Sequence, residues 1–346
     1  MASLRRSGGA LGERRYNRTS MRTSRLAALA ISLASLVPGA PPDLYKRIGH
    51  VVWLVRAIDR PLRAWSSLGL SDLHDFGTVA LQGEYRGQPI TGHAHMASGH
   101  LGNLAVDMLE PRDGGSALNA FLSKHGDGIF SIVYEVSSQD EMAREVERMG
   151  GAGVPVLQRV RMDTDRGPAE FLFFDTEQSG KYALGLVHWT GGASPAAAPA
   201  VVSHIAFVIR EAAPVSDYWR QLGFPAMPVA HASPREDSRY HGMPLLLPFD
   251  VGWHKYSQPT FEWIIPPQEP PNCYADFLKA HGEGVHHLGL PVDDLEGAMA
   301  RYKGLGYGVV QSGAWGEVGK PGSGRYAYMA TDSVGGVTVE LIHAFN

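Results

Sequence analysis

The sequence predicts an α+β protein built from four βαβββ modules paired into two domains, and two observations carry that reading. The first is an internal repeat: FLKAHGEGVHHLGLPV, from Phe277 to Val292, echoes FLSKHGDGIFSIVYEV, from Phe121 to Val136. The second is its register. His50 aligns with His204, Asp107 with Glu262, Ser131 with His287 and Gly185 with Glu340, at an offset of 154 to 156 residues. A repeat whose scaffold persists while its polar side chains change implies that the scaffold serves folding in both copies and the histidines serve chemistry in one.

Taken in order, residues 1 to about 45 form a leader rich in Arg, Ser, Ala and Gly, with only Glu13 and Asp43 as acids. From Met21, MRTSR precedes the apolar run Leu26 to Val37 and then PGAPP, the order of a secretory signal. That run is too short for an ordinary membrane-spanning helix. Export through this signal and retention in the cytoplasm both stay open. The first module opens with IGHVVWLV, whose alternation suits a half-buried strand, and continues into a helix over DRPLRAWSSLGL, with Asp59 as N-cap and Gly69 as stop. The second opens with SIVYEVSSQDEMAREVERMGG, a strand and a Ser-capped helix. GGASPAAAPA, Gly191 to Ala200, has the composition of a linker. SHIAFVI and APVSDYWRQLGF begin the third module, and HLGLPVDDLEGAMARYKGLGY begins the fourth. Short β-type runs broken by Gly and Pro follow each helix, among them AEFLFFD, TFEWII, RYAYMA and VTVELIH. The expected divisions are leader 1–45, first domain 46–190, linker 191–200 and second domain 201–346.

Composition narrows the function. With 44% hydrophobic and 19% charged residues the 346-residue chain is an ordinary globular sequence, not a disordered or fibrous one. A net charge of −4 with no dense Lys/Arg block after residue 47 leaves no electrostatic footprint for nucleic acid. The single cysteine, Cys273, excludes an intrachain disulfide framework and a multi-cysteine metal site, so a metal would be held by His and carboxylate. GKPGSG, Gly319 to Gly324, lacks P-loop spacing and a following helix, and reads as a loop between strands.

The matched positions gather chemistry in the second half: His204 and Glu262 on the first and last strands of the third module, His287 and Glu340 on those of the fourth. Two imidazoles and one or two carboxylates suit Fe(II), Mn(II), Co(II), Ni(II) or Zn(II), with positions left for a bidentate substrate. The first half offers His50, Asp107, Ser131 and Gly185, of which the last two are not credible ligands here. Glu340 lies between Val339 and Leu341, where an unpaired buried carboxylate costs several kcal/mol and calls for a cation. Glu262 precedes IIPPQEPP and could instead form a rim salt bridge. Strand alternation puts His286 on the face opposite His287. His125, His188, His281 and His343 recur in both halves, which argues for packing or capping. His241, His254, Tyr256 and Tyr328 are candidate pocket residues from their strand-loop positions.

SHIAFVI, GVHHLGLPVDDLEGAMARYKGLGY and DSVGGVTVELIH resemble the vicinal oxygen chelate superfamily, which includes glyoxalase I, methylmalonyl-CoA epimerase, extradiol dioxygenases, 4-hydroxyphenylpyruvate dioxygenase and bleomycin-resistance proteins. The resemblance spans about residues 48 to 346 and in motif is most like the epimerase type. It implies two cupped mixed β-sheets with helices outside, and one divalent metal on His204, His287 and Glu340, with Glu262 in the fourth, less uniform position. It also implies a small-molecule substrate with adjacent oxygens and isomerase, epimerase or lyase chemistry through an enolate-like species, with Glu340 or Glu262 as base and Tyr328 and His241 as further catalytic candidates. An extradiol dioxygenase using a two-His, one-Glu iron site is the alternative, although YMATDSVGGVTVE lacks the Pro and the upstream His of that type. A binding or resistance protein is a third. No nucleic-acid partner and no stable membrane span are expected, and a homodimer is left open.

Overall fold

A computed structural model of the chain describes residues 41–164, 167–189, 202–233, 235 and 237–345. Residues 1–40 of the leader, with its signal-like run, and the Gly191–Ala200 linker lie outside the described residues. None of the described helices is long and apolar enough to cross a membrane.

The first half runs β1 (His50–Leu54), α1 (Asp59–Leu68), β2 (Ser71–Tyr85), β3 (Gln88–Leu101), β4 (Leu104–Pro111), α2 (Ala117–His125), β5 (Gly128–Glu135), α3 (Gln139–Gly151), β6 (Val156–Thr164), β7 (Gly167–Phe174), α4 (Glu177–Gly180) and β8 (Ala183–Trp189). Local chemistry sets the helix ends. Ser138 accepts a hydrogen bond from the Glu141 N–H at the start of α3, and Gly69, at φ 120°, ends α1. Asp59 is not the cap expected of it: it is the first helical residue, and Glu110 Oε2 accepts from the Ile58 N–H instead. The strands after α1 are also not short. β2 and β3 run 15 and 14 residues, because register shifts at Ser71/His74 and Asp75/Gly77 absorb the breakers.

These strands close into a barrel in the order β1-β4-β3-β2-β6-β7-β8-β5. Its interior is filled by buried apolar side chains, among them Leu54, Met96, Phe130, Val160, Phe171 and Phe173.

The second half repeats the plan with β9 (His204–Val208), α5 (Ala212–Gln221), β10 (Val229–Ala232), β11 (Arg239–Tyr240), β12 (Met243–Pro244), β13 (Phe249–His254), β14 (Thr260–Ile265), α6 (Cys273–His281), β15 (Gly284–Pro291), α7 (Leu295–Gly304), β16 (Val309–Trp315), β17 (Ser323–Met329) and β18 (Thr338–Phe345). The sheet order is β10-β13-β14-β9-β15-β18-β17-β16-β11-β12. In the barrel β2 pairs with β6, but their counterparts β10 and β16 do not pair, and the β11–β12 hairpin lies on β16 instead. The sheet stays open along that seam, and its concave face holds a cavity where the barrel holds a core.

One core cluster runs through both halves and includes Trp53, Trp65, Phe207 and Trp219. Its cross-links are paired. Trp65 Nε1 donates to the Val334 carbonyl at 2.8 Å, and Trp219 Nε1 to that of Gly180 at 3.3 Å. His125 Nδ1 donates to the His281 carbonyl at 2.6 Å, and His281 Nδ1 to that of His125 at 2.7 Å. His125 and His281 therefore join the two halves, whereas His188 contacts Gln139 and His343 bonds the Val292 carbonyl, each within its own half. Tyr45, which the sequence reading counts with the leader, is fully buried, bonded to Glu145 through its hydroxyl and to Ser257 Oγ through its carbonyl.

Candidate metal centre

Four adjacent strands, β14-β9-β15-β18, carry the four matched residues. β14 and β9 run parallel with Glu262 beside Ala206, and β15 places Gly289 beside both His204 and Glu340. Gly289 makes the site possible. A Cβ there would lie 2.2 Å from His204 Cε1, so only a glycine admits the ring. The barrel reverses the pattern. Val133 stands at the Gly289 position, and a Cβ on Gly185 would meet Val133 at 2.8 Å and Ser131 Oγ at 2.7 Å.

The donor atoms of His204, Glu262, His287 and Glu340 all lie within 4.8 Å of one another. Glu340 Oε2 is 3.0 Å from His204 Nε2 and 3.3 Å from His287 Nε2; Glu262 Oε2 is 3.4 and 3.3 Å from the same atoms. The two imidazole nitrogens are 3.2 Å apart. His287 is fully buried, and His204 and Glu340 nearly so. Burial alone would lower the His287 pKa, but the Glu340 charge and its contacts with Glu262 outweigh this and raise it to about 9. Burial pushes Glu340 up, yet the His287 charge and the bonds from both imidazoles hold it well below the usual carboxylate range.

These residues fit a divalent cation. Two imidazole nitrogens and two carboxylate oxygens form a borderline-to-hard donor set. Glu262 Oε2 is buried with no hydrogen bond of acceptable geometry, a cost that an ion would remove. The barrel solves the same problem without one. His50 Nδ1 is 3.0 Å from Asp107 and its Nε2 is 3.3 Å from Glu135, and these two carboxylates outweigh desolvation to raise its pKa to about 9. The imidazolium is the barrel's cation.

The site opens into a cavity of about 970 Å³ lined by aromatic residues including Phe249, Trp253, Tyr326 and Tyr328. Tyr274 donates a hydrogen bond to the Tyr328 hydroxyl at 2.9 Å. Burial first, and then the Glu340 charge, raise the Tyr328 phenol well above its ordinary pKa. Tyr328 therefore stays protonated beside the donor cluster.

The other sequence candidates fall elsewhere. His241 sits exposed on the turn between β11 and β12 and is not among the residues that line the cavity. His254 alternates with Trp253, packs near Phe224 and Phe261, and has its pKa lowered to about 4 by burial. The Tyr256 hydroxyl donates to the Pro41 carbonyl. His286 also departs from expectation. A β-bulge between Val285 and His287 breaks the alternation, so His286 Nδ1 lies 2.9 Å from His287 Nδ1 instead of across the sheet. Among the cavity residues that the sequence candidates do not include are Phe249, Val251 and Trp253, one face of β13. Their period of two was readable, but attention to histidine picked His254 from the other face.

Residues 203–329 match the sequence model of the family described as Glyoxalase/Bleomycin resistance protein/Dioxygenase superfamily. No curated protein matches the sequence. Among solved structures, a mutant of 4-hydroxymandelate synthase from Streptomyces coelicolor is similar at 17% identity and a TM-score of 0.57, covering 88% of this chain and 93% of that one. A xylose isomerase-like TIM barrel/4-hydroxyphenylpyruvate dioxygenase fusion protein matches at 13% identity and a TM-score of 0.49, over 89% of this chain and 50% of that one. A halotolerant catechol dioxygenase matches at 11% and 0.42, over 88% of each. At these identities the likeness concerns the fold alone. The family match thus covers the third module and the fourth as far as Met329, stopping before β18 and Glu340, and it is over this stretch that the chain is similar to the glyoxalase/bleomycin resistance/dioxygenase superfamily.

Proposed function

We propose that the protein is a divalent-metal-dependent isomerase, epimerase or lyase acting on a small substrate with two adjacent oxygens and an aromatic body. The observation that carries this reading is Glu262, whose buried Oε2 faces both imidazoles at 3.3 and 3.4 Å and makes a fourth donor beside His204, His287 and Glu340. Four protein donors leave two positions of a six-coordinate ion, enough for a bidentate substrate; a ring-cleaving dioxygenase also needs one for dioxygen. A divalent ion held there supplies Lewis acidity to both substrate oxygens. Glu262, the more accessible carboxylate, would take the proton from the adjacent substrate carbon once released from the donor set by the bound substrate. The Tyr328 hydroxyl, kept protonated, offers a hydrogen bond to an oxygen in the cavity. Trp253 and Phe249 bound the space against water and fit a planar ring, while Lys255 is the one Lys or Arg lining it among the described residues. His241 has no place in this chemistry. A second reading, the dioxygenase, draws on His204, His287 and Glu340 alone as a two-His, one-Glu set.

Protein reconstituted with each of Fe(II), Mn(II), Co(II), Ni(II) and Zn(II) tests the reading. The expected result is exchange of solvent deuterium into an aryl carbonyl compound with an acidic α-hydrogen, without oxygen uptake, and loss of that exchange in Glu262→Gln. Oxygen consumption with catechols and no exchange would establish the dioxygenase instead. Ligand binding with neither would make the protein a binding module.

A further inference from the structure

A neutral histidine offers a lone pair from one ring nitrogen only, and the hydrogen must sit on the other. His204 and His287 both turn Nε2 toward the donor cluster, so both need that hydrogen on Nδ1. What Nδ1 touches therefore decides whether each ring is ready to bind a metal. His287 Nδ1 is 2.9 Å from His286 Nδ1, and His204 Nδ1 is 3.2 Å from Ser203 Oγ. Ser203 Oγ in turn donates to the Gly289 carbonyl at 3.1 Å, which leaves its lone pairs facing the imidazole. Neither ring nitrogen has another hydrogen-bond partner among the described residues.

The repeat supplies a control for this arrangement. Ser203 aligns with Gly49 and His286 with Phe130, which neighbours Ser131 at the equivalent bulge of β5. The barrel thus keeps the bulge and the strand order but has neither Nδ1 partner. His50, the one imidazole at the barrel's matched positions, gives Nδ1 to Asp107 and Nε2 to Glu135 and has no nitrogen to spare. In the open half, His286 is nearly buried among the rings of Phe277, Tyr274 and Tyr328, which fixes its orientation.

We infer that His286 and Ser203 are positioning residues of the metal centre: His286 accepts the Nδ1 hydrogen of His287 on its own bare Nδ1, Ser203 accepts that of His204, and each locks its ligand in the tautomer that presents Nε2. Neither residue touches substrate. The bulge in β15 serves this end, because a regular strand would carry His286 to the opposite face. The inference rests on the metal-centre reading above and concerns how that centre is prepared.

Zinc affinity of the metal-stripped full chain, measured by competition with a chromophoric chelator, tests it. His286→Phe, which imports the barrel's residue and keeps a ring, should weaken zinc binding by roughly 10- to 100-fold. His286→Asn should stay within a few-fold of wild type, since its Oδ1 can occupy the place of Nδ1 and accept the same hydrogen. A packing role would give the opposite order, because Asn empties the pocket that Phe fills, and that order would overturn the proposal. Ser203→Gly should weaken binding in the same way, and Ser203→Thr should restore it. The ring ¹⁵N spectrum of the zinc-loaded wild type gives a readout that does not depend on a variant's folding. It should show His287 protonated at Nδ1 and His286 protonated at Nε2 only; a protonated His286 Nδ1 would contradict the assignment. Wild-type protein that takes up no zinc would overturn the metal centre itself, whereas zinc bound equally by wild type and His286→Phe would overturn only the role of His286.

Discussion

His50 carries a charge that the open half reserves for an ion. Its pKa is raised from the ordinary 6.5 to about 9, so its stabilisation is fully present below about pH 6.5 and is lost as pH climbs through 9. Wild type should therefore exceed His50→Gln in stability by roughly 2 kcal/mol near pH 6, with the gap closing by pH 10, as measured by denaturant midpoints. A gap that widened with pH would mean that His50 is neutral in the fold. The residues of the donor cluster were legible in the sequence because the repeat gave each one a counterpart to be judged against: His287 beside Ser131, Glu340 beside Gly185. Their neighbours were less so. The direction of His286 depends on a bulge that leaves no mark in an alternating apolar run, and His241 was singled out by residue type when only its face could decide.

At the level of the strand, Gly289 decides which half can hold two imidazoles. Gly289→Val copies Val133 of the barrel and should displace the His204 ring, removing metal binding while leaving the strand formed, at a cost of about 1–3 kcal/mol. Metal analysis with a circular-dichroism melt checks both parts; retained metal would show that the strand can shift to make room. The unpaired seam is the second strand-scale difference, since β2 and β6 seal the barrel while β10 and β16 leave a cavity. The βαβββ order was readable from apolar alternation and capping residues. Strand lengths and the open seam were not, because bulges let β2 and β3 run through their glycines and because pairing between distant strands has no local signal.

Across the whole molecule, the two halves share one core and reciprocal hydrogen bonds, so the barrel buttresses the half that carries the donor cluster. Gly336 shows how tight that contact is: at φ 75° a Cβ would lie 1.9 Å from the Asp127 carbonyl oxygen of the other half. Gly336→Ala should destabilise the entire chain by about 2–4 kcal/mol in a single thermal transition, and two separated transitions would show the halves to be independent. The repeat made the two-half plan visible in the sequence, whereas the shared core was hidden, because nothing in an apolar run says which partner will cover it. One half of the repeated scaffold would then bind one metal through residues that its counterpart lacks. Metal stoichiometry of wild type, His287→Ala and Ser131→Ala tests it most directly. One divalent ion per chain in wild type and Ser131→Ala, with almost none in His287→Ala, is the expected result; two ions per chain, or metal lost with Ser131→Ala and kept with His287→Ala, would contradict it.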